Sequence, residues 1–358
     1  MKNSRFSVAM FRVGFGAVTL AMLMAGSWVD SSPLAGAATS TVSEGADPFG
    51  WEAGSLGAVL SDQARPVVDS DLPDPFLLND GPNAYIYGTN IASDSGWLNV
   101  PVTYRLADGS SVVIDAMPDV SSWSLEGFVW APSVLAVADG YVMYVTTHDP
   151  TTGRQCISMS TSTSPIGPFV DHSETPFVCQ DDLGGTIDAS PFVDADGNNW
   201  LLYKNDGNCC GIKTTIWSQQ LSDDGTRLVG ESNALLSATS GWEGWLIEGP
   251  SMVVNGDTFT LFYSANRWDT DEYAIGYATC VGPVGPCERQ IDEPWVESGG
   301  GVAGPGGQEF IALPLADVYL MVMHGWDDDA VGYGVGGKRS TYLRLVRMTD
   351  EGPVLVQR

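Results

Sequence analysis

A turn-and-strand pattern that recurs five times constrains the fold of this chain more than any other feature of its sequence. The first four copies each open with a proline, and these prolines stand at nearly equal spacing, at Pro75, Pro132, Pro191 and Pro250. The fifth copy lacks the proline and begins at Glu309, which follows Pro250 by the same interval that separates Pro250 from Pro191. Repeats of about 40–50 residues or more that each hold several short strands are typical of a β-propeller. The five copies therefore predict five blades around a central axis.

Each copy continues through a turn into an apolar, aromatic-rich strand. These strands are Tyr85–Thr89, Tyr141–Thr146, Trp200–Tyr203, Phe259–Ser264 and Tyr319–Met323. Asp-Gly and Asn-Gly dipeptides separate further short strands and supply the positive φ angle that tight hairpins need, and no long amphipathic helix period is present. The sequence predicts an all-β fold, a single five-bladed β-propeller domain over residues 65–358. We expect four strands in each blade and the proline motifs on the innermost strands.

The segment that precedes the propeller repeat predicts export of the protein. A start with three basic residues is followed by an apolar stretch and then by the small residues Ala35, Gly36 and Ala37, which is the pattern of a cleavable leader. We expect a secretory signal peptide over residues 1–37 and a linker or flexible arm over residues 38–64. The protein is then secreted and extracellular.

The charge balance excludes two classes of partner. The chain carries 44 acidic residues against 16 Lys and Arg, a formal net charge of −28. Binding to nucleic acid or to an anionic membrane needs clustered cations, so we expect neither. The 12 tryptophans suit carbohydrate, whose apolar faces stack on aromatic rings, although tryptophan also fills β-sheet cores. We expect a polysaccharide or oligosaccharide of the plant cell wall as partner, and a monomeric protein.

Six cysteines in a secreted chain indicate disulfides. Two pairings are local: Cys280 with Cys287 across a Gly/Pro loop, and Cys156 with Cys179 across an outer hairpin. The adjacent Cys209 and Cys210 leave a bridge between neighbours and two free thiols as alternatives, because adjacent cysteines rarely fit ordinary disulfide geometry. A zinc site is not expected, since the chain has three His and no Cys-x-x-Cys spacing.

Three of the five copies place a carboxylic acid beside the proline motif, namely Asp74, Asp188 and Glu248. The other two copies offer Trp130 and Gln308 at corresponding places. Equivalent positions of successive blades converge on the axis, so we expect these five side chains to face one pocket. Crowding three acids is costly unless their charges are used. The alternative is that each acid merely caps a turn before a strand.

The sequence around these acids resembles glycoside hydrolase family 43 from Asp71 to the C-terminus. The matching segments read Asp-Leu-Pro-Asp-Pro-Phe at 71–76, Trp-Ala-Pro-Ser at 130–133, Ile-Asp-Ala-Ser-Pro-Phe at 187–192, Ile-Glu-Gly-Pro at 247–250 and Gly-Pro-Gly-Gly-Gln at 304–308. The resemblance implies a five-bladed propeller that hydrolyses arabinofuranosyl or xylosyl linkages with inversion. It implies Asp74 as the general base, Glu248 as the general acid and Asp188 as the modulator of the acid's pKa.

Acetal hydrolysis explains why three carboxyls are useful together. One carboxyl must be protonated beside the leaving oxygen and another must be ionised beside a water. A carboxylate at Asp188 would raise the pKa of Glu248, because like charges at close range disfavour ionisation. Asp74, partly open to water, would stay ionised and serve as the base.

The resemblance departs from the family pattern at one position. The family often has a histidine that helps to hold a channel cation where this chain has Gly307. We therefore expect no required cofactor and doubt a channel Ca²⁺. His324 is either a metal ligand or a buried core residue. Arg339 is either an arginine of the last blade that contacts the acid or the sugar, or a member of an ordinary surface ion pair. Trp130 either stacks on the sugar or fills the core.

These observations predict a secreted, inverting glycoside hydrolase that removes terminal α-L-arabinofuranosyl units from plant arabinan or arabinoxylan. A β-xylosidase and an endo-arabinanase of the same family are alternatives, since the catalytic residues do not separate these substrates. An alternative from another class is a non-catalytic carbohydrate-binding propeller, which would require one of the three acids to be misplaced.

Overall fold

The computed structural model describes residues 65–356 apart from residues 82, 95 and 106–109. The predicted signal peptide at 1–37 and linker at 38–64 lie outside the described residues. No helix in the described part is long and apolar enough to cross a membrane. Its helical segments are three single turns at Asp181–Leu183, Gly207–Cys209 and Tyr333–Val335.

The described strands form five antiparallel sheets, one for each copy of the repeat, and one added hairpin. Blade 1 holds β1 (Phe76–Asp80), β2 (Asn83–Tyr87), the separate hairpin of β3 (Ile91–Ser93) and β4 (Gly96–Leu98), then β5 (Pro101–Arg105) and β6 (Ser111–Asp115). Blade 2 holds β7 (Leu125–Val137), β8 (Gly140–Asp149) and β9 (Arg154–Ser162). Blade 3 holds β10 (Thr186–Val193), β11 (Asn199–Asn205), β12 (Thr215–Leu221) and β13 (Leu228–Ser237).

Blade 4 holds β14 (Ile247–Asn255), β15 (Thr258–Ala265), β16 (Ala274–Cys280) and β17 (Cys287–Arg289). Blade 5 holds β18 (Val302–Ala312), β19 (Val318–Asp327), β20 (Arg339–Thr349) and β21 (Gly352–Leu355). The first strand of each sheet, β1, β7, β10, β14 and β18, contacts the first strand of the next, and β18 contacts β1. The ring is therefore closed, and the predicted five-bladed propeller is confirmed.

The core is divided among the junctions between blades. Each of five clusters of buried apolar side chains joins two neighbouring blades. At the closing junction, Leu77 of blade 1 packs in one cluster with Leu320 and Leu343 of blade 5. The segment before β1 also pairs with blade 5, where the Val67 N–H donates to the Thr341 carbonyl at 2.8 Å. These contacts hold the first and last blades together.

Blade 2 has three strands in the described part of the chain, so the prediction of four strands in every blade is wrong there. The segment that follows β9 is tied to it by isolated bridges, Thr161 to Val170 and Ile157 to Val178. Three prolines, Pro165, Pro168 and Pro176, lie in this segment. Proline has no N–H to donate to a ladder, and this prevents a continuous fourth strand.

The disulfides follow the predicted local pairings. Cys156 is bonded to Cys179 and Cys280 to Cys287. The adjacent Cys209 and Cys210 are bonded to each other, which settles the two alternatives for this pair. The bridged pair lies at the end of the single turn Gly207–Cys209, beside the pocket described below.

Each of the five copies has a residue with a left-handed backbone conformation on the inner strand or just before it. The residues in this conformation are Asp74, Ala131, Asp188, Gly249 and Gly307, with φ angles of 51°, 44°, 58°, 51° and 59°. In blades 2 to 5 the pairing of the first two strands shifts register here. A non-glycine residue in this region costs about 1–2 kcal/mol. Two of the three acids are held in it, which is typical of functional positions.

Candidate active site

A pocket of about 670 Å³ opens where the inner strands converge. Six of the residues predicted for the site line it, namely Asp74, Asp188, Glu248, Trp130, Gln308 and Arg339. Asp188 and Glu248 lie on the inner strands β10 and β14, and Asp74 lies just before β1. His324 is fully buried behind this wall rather than in it. The structure therefore brings the predicted acids, the tryptophan, the amide and the arginine to one place.

A hydrogen bond between neighbouring blades fixes each left-handed turn. The backbone N–H of Ala131 donates to Thr89 Oγ1, that of Asp188 to Thr146 Oγ1, that of Gly307 to Ser264 Oγ and that of Asp74 to His324 Nδ1, all at 2.9–3.1 Å. These four acceptors occupy equivalent positions on or after the second strand of the preceding blade. In blade 3 the equivalent residue is Lys204, opposite Ile187 in the ladder. Lysine has no acceptor, and the Gly249 N–H donates to Asp188 Oδ2 at 2.9 Å instead.

Asp74 is held as an ionised carboxylate. Its Oδ2 accepts a hydrogen bond of 2.6 Å from Thr89, and its Oδ1 lies 3.4 Å from Arg339 Nη1. Burial opposes ionisation, but the guanidinium and the hydroxyl outweigh it, so the pKa of Asp74 lies below its ordinary value of 3.8. A carboxyl with this pKa is ionised throughout the neutral range, as a general base requires.

His324 supports Asp74 from behind as a neutral ring. Burial, and then Arg339, lower the pKa of His324 to about 3. Since Nδ1 accepts the Asp74 N–H, the ring proton lies on Nε2. Nε2 is buried and has no hydrogen-bond partner among the described residues.

Two glycines make room for the rings around the acids. A Cβ at Gly307 would lie 2.6 Å from His324 Nδ1, and one at Gly306 would lie 2.0 Å from the Tyr273 ring. The rings of Tyr273 and His324 stack with centroids 6.0 Å apart. A side chain at position 307 is therefore incompatible with His324 in its present place. Among the described residues, one group of side chains has its possible metal-ligand atoms close together, namely Cys156, Cys179 and Asp181. The two cysteines of this group are bonded to each other.

Arg339 is part of an aromatic wall rather than a surface ion pair. Its side chain is 8% exposed, and its Cζ lies 4.6 Å from the centre of the Trp268 ring. Its Nε and Nη2 each lie 3.3 Å from the Tyr333 hydroxyl. The guanidinium is thus fixed between these rings with Nη1 directed at Asp74.

Glu248 has a hydrogen-bond donor on each oxygen. The Tyr273 hydroxyl donates to Oε1 at 2.9 Å, and Lys204 Nζ lies 3.2 Å from Oε2. Lys204 is fully buried and also donates to Asn208 Oδ1 at 2.8 Å. Burial and the charge of Glu248 raise the pKa of Tyr273 well above 10, so it remains a donor.

Asp188 has a raised pKa beside Glu248. Burial, and then the neighbouring Glu248, raise the pKa of Asp188 to about 7, against the opposing effects of Lys204 and the Gly249 N–H. Asp188 is therefore partly protonated near neutral pH, opposite the ionised Asp74.

Trp130 and Gln308 complete the pocket in different ways. Trp130 is half-buried on β7 and lines the pocket, where its ring is available to a ligand. Gln308 is buried, donates to the Gly249 carbonyl at 2.7 Å and accepts from Ser264 at 2.8 Å. Its amide therefore ties the inner strands of blades 4 and 5 together at the pocket wall.

The sequence profile of glycosyl hydrolases family 43 matches residues 63–354. The chain belongs to this family. A β-D-galactofuranosidase, xynD, from Aspergillus niger is 27% identical over 212 residues, which make up 56% of this chain and 58% of that enzyme. The matched part therefore spans little more than half of that relative.

Solved structures show the same fold. A thermostable family 43 glycoside hydrolase aligns with a TM-score of 0.68 at 23% identity, over 81% of this chain and 94% of the other. An α-L-arabinofuranosidase from Lactobacillus brevis aligns with a TM-score of 0.63 at 17% identity, over 81% and 96% of the two chains. Both alignments cover the propeller of this family 43 glycoside hydrolase nearly completely.

Several residues of this family 43 site were missed from the sequence. Thr89 and Lys204 belong to one column of the repeat, whose members stand at nearly equal spacing and are Thr89, Thr146, Lys204, Ser264 and His324. Alignment of the five copies on this column would have shown a lysine where the other blades carry an acceptor. Tyr273, Trp268 and Tyr333 lie in loops between strands, and no spacing in the sequence marks them.

Proposed function

We propose that this family 43 glycoside hydrolase removes α-L-arabinofuranosyl units from plant arabinan or arabinoxylan, with inversion and as a secreted enzyme. Asp74 is the general base, Glu248 the general acid and Asp188 the modulator of that acid. The observation that supports this assignment is that the pKa of Asp74 is lowered and that of Asp188 is raised within one pocket. Arg339 and Thr89 favour the ionised form of Asp74, whereas burial and the neighbouring Glu248 raise the pKa of Asp188 across from it.

In the proposed reaction the two sides of the pocket act on opposite faces of the sugar. Asp74 takes a proton from a water whose oxygen attacks the anomeric carbon. Glu248 gives its proton to the glycosidic oxygen as the bond from the anomeric carbon to that oxygen breaks. One proton is gained at Asp74 and one is lost at Glu248, and exchange with solvent restores both. Attack opposite the leaving group inverts the anomeric centre.

A β-D-galactofuranosyl substrate is a second candidate, supported by the xynD relative. β-D-Galactofuranose has the ring configuration of α-L-arabinofuranose and carries one more hydroxymethyl group on its exocyclic carbon. The acids would act on both sugars in the same way. A pocket of about 670 Å³ is of the size that small-ligand sites usually have, and it leaves room for the larger sugar.

A panel of 4-nitrophenyl glycosides tests the substrate. We expect the highest kcat/KM on α-L-arabinofuranoside, with β-D-galactofuranoside second and β-xylopyranoside lower. Release of arabinose alone from arabinan supports exo-action, and release of oligosaccharides indicates an endo-arabinanase. Saturable binding of these glycans without turnover of any of them would contradict the proposal and support the carbohydrate-binding propeller.

The roles of the two acids are tested by leaving groups. Glu248→Gln should retain most activity on a glycoside of a strongly acidic phenol, because that leaving group needs no proton, and should lose several orders of magnitude on arabino-oligosaccharide. Asp74→Asn should lose both activities, since water must be activated in either case. An inverted first-formed anomer in ¹H NMR supports inversion. Equal losses on both substrates in both variants would refute the assignment.

A further inference from the structure

Lys204 breaks the five-fold pattern of the propeller at the side of the general acid. The other four residues of its column accept the N–H of a left-handed turn, and Lys204 cannot. Its ammonium is fully buried, 3.2 Å from Glu248 Oε2 and 2.8 Å from Asn208 Oδ1. A buried ammonium is costly unless it is paired and hydrogen-bonded. Lys204 also cannot accept the inter-blade hydrogen bond that the other four blades have at this position, so its presence here needs a functional explanation.

Three carboxyls surround this one ammonium. Asp188 on β10, Glu248 on β14 and Asp206 just after β11 all interact with it electrostatically. Tyr273 donates to the far oxygen of Glu248. Arg154 acts on Asp206, and Asp74 acts on Asp188, from further away. The charge of Lys204 acts to lower the pKa of both Asp188 and Asp206, against the effect of burial.

We propose that Lys204 is the positioning residue of the general acid, which it holds by Oε2 while its charge favours the ionised forms of the carboxyls around it. The proposal rests on the assignment of Glu248 in the proposed function. Without the charge of Lys204, the neighbouring carboxyls bind protons more tightly and keep them to higher pH.

The contacts of Lys204 also fix the direction of the carboxyl. Tyr273 and Lys204 hold Glu248 from two sides, so its plane is set before a substrate arrives. Asn208 holds the ammonium in turn and lies in the single turn Gly207–Cys209. The bridge from Cys209 to Cys210 closes this turn on itself. A continuous series of contacts thus runs from the disulfide-closed turn at the pocket wall, through Asn208 and Lys204, to Glu248.

The pH dependence of kcat/KM separates this role from a purely structural one. In Lys204→Met, we expect the upper limb of the profile to move to higher pH by about one unit or more, because an opposite charge at this distance typically changes a carboxyl pKa by about 1–3 units. In Lys204→Arg the charge remains, so the limb should stay within a few tenths of a unit of wild type even if kcat falls.

A variant at the pocket surface keeps the test available if Lys204→Met does not fold. Asn208 is exposed, and Asn208→Asp places a competing carboxylate on the ammonium. It should move the upper limb in the same direction by a smaller amount. Asn233→Asp on β13, whose side chain bonds only the Glu231 carbonyl, adds the same charge elsewhere and should leave the profile unchanged.

The outcomes distinguish this inference from the function on which it rests. If Glu248→Gln shows the expected leaving-group effect and Lys204→Met or Asn208→Asp shifts the upper limb, both are supported. If Glu248→Gln behaves as expected but the limb stays in place in Lys204→Met, or in Asn208→Asp where the former does not fold, the role of Lys204 is refuted. If Glu248→Gln loses both substrates equally, the acid assignment itself fails.

Discussion

We expect the charge of Arg339 to set the lower end of the pH range of this enzyme. Arg339→Met removes the guanidinium beside Asp74 while keeping an unbranched apolar chain against Trp268. Without that charge, His324 and the hydroxyl of Thr89 are left to oppose the effect of burial, which raises the pKa of Asp74. A general base must be ionised, so the acid limb of kcat/KM should move to higher pH.

The size of this shift follows from the distance. Arg339 Nη1 lies 3.4 Å from Asp74 Oδ1, and two unit charges at this distance interact by about 5 kcal/mol at an effective dielectric of about 20. At about 1.36 kcal/mol per pKa unit, the upper bound is about 3.5 units. The Asp74 side chain is 25% exposed, and solvent screening brings the expected shift to about one to two units.

The assay is a kcat/KM profile from about pH 3 to 9 on the aryl glycoside that the wild-type enzyme prefers, with thermal unfolding to confirm the fold. Thr89→Val removes the hydrogen bond of 2.6 Å without removing a charge, and should shift the acid limb in the same direction by less. Arg227→Met removes the same charge from an exposed hairpin and should leave the limb in place. A fall in kcat/KM at every pH with an unmoved limb would refute the reasoning and make Arg339 a sugar contact.

Two further variants test the other side of the site and the backbone. Asp188→Asn removes the charge that acts on Glu248, so the upper limb of the kcat/KM profile should move to lower pH, opposite to the shift in Lys204→Met. The unfolding temperature should change little, because asparagine tolerates the φ of 58°. A collapse of thermal stability with an unshifted limb would show that Asp188 has a structural role. Ala131→Gly relieves a left-handed alanine at φ 44° and, after the added entropy of the unfolded chain, should stabilise by up to about 1 kcal/mol, seen as a rise of about 1–2 °C in calorimetry. A lower unfolding temperature would show that the methyl group packs against something the glycine cannot replace.

The repeat made the fold predictable from sequence. Proline spacing located the inner strands, and the aromatic runs located their neighbours, because each blade packs on the next in the same way. Blade 2 deviates for a local reason, three prolines in the segment after β9. The prediction of four strands in every blade assumed that all repeats are alike, so it missed this local difference.

The site was predictable to the extent that it lies on the repeat. Asp74, Asp188 and Glu248 stand beside the proline motifs, so their convergence followed from five-fold symmetry. The loop residues Tyr273 and Trp268 are placed by tertiary packing, and nothing in their spacing connects them to the acids. Arg339 begins β20 and was indicated only by the family resemblance.

The column of Thr89, Thr146, Lys204, Ser264 and His324 explains why one propeller can hold acids of opposite protonation. In every blade this position faces the left-handed turn of an inner strand. A hydroxyl or a neutral imidazole supplies an acceptor for the N–H of the turn and no charge. A lysine supplies a positive charge and no acceptor, so Asp188 must bond the Gly249 N–H in its place. Burial, and then the charge of Glu248, raise the pKa of Asp188. Asp74, whose turn is bonded to a neutral His324, stays a separate, ionised group under Arg339.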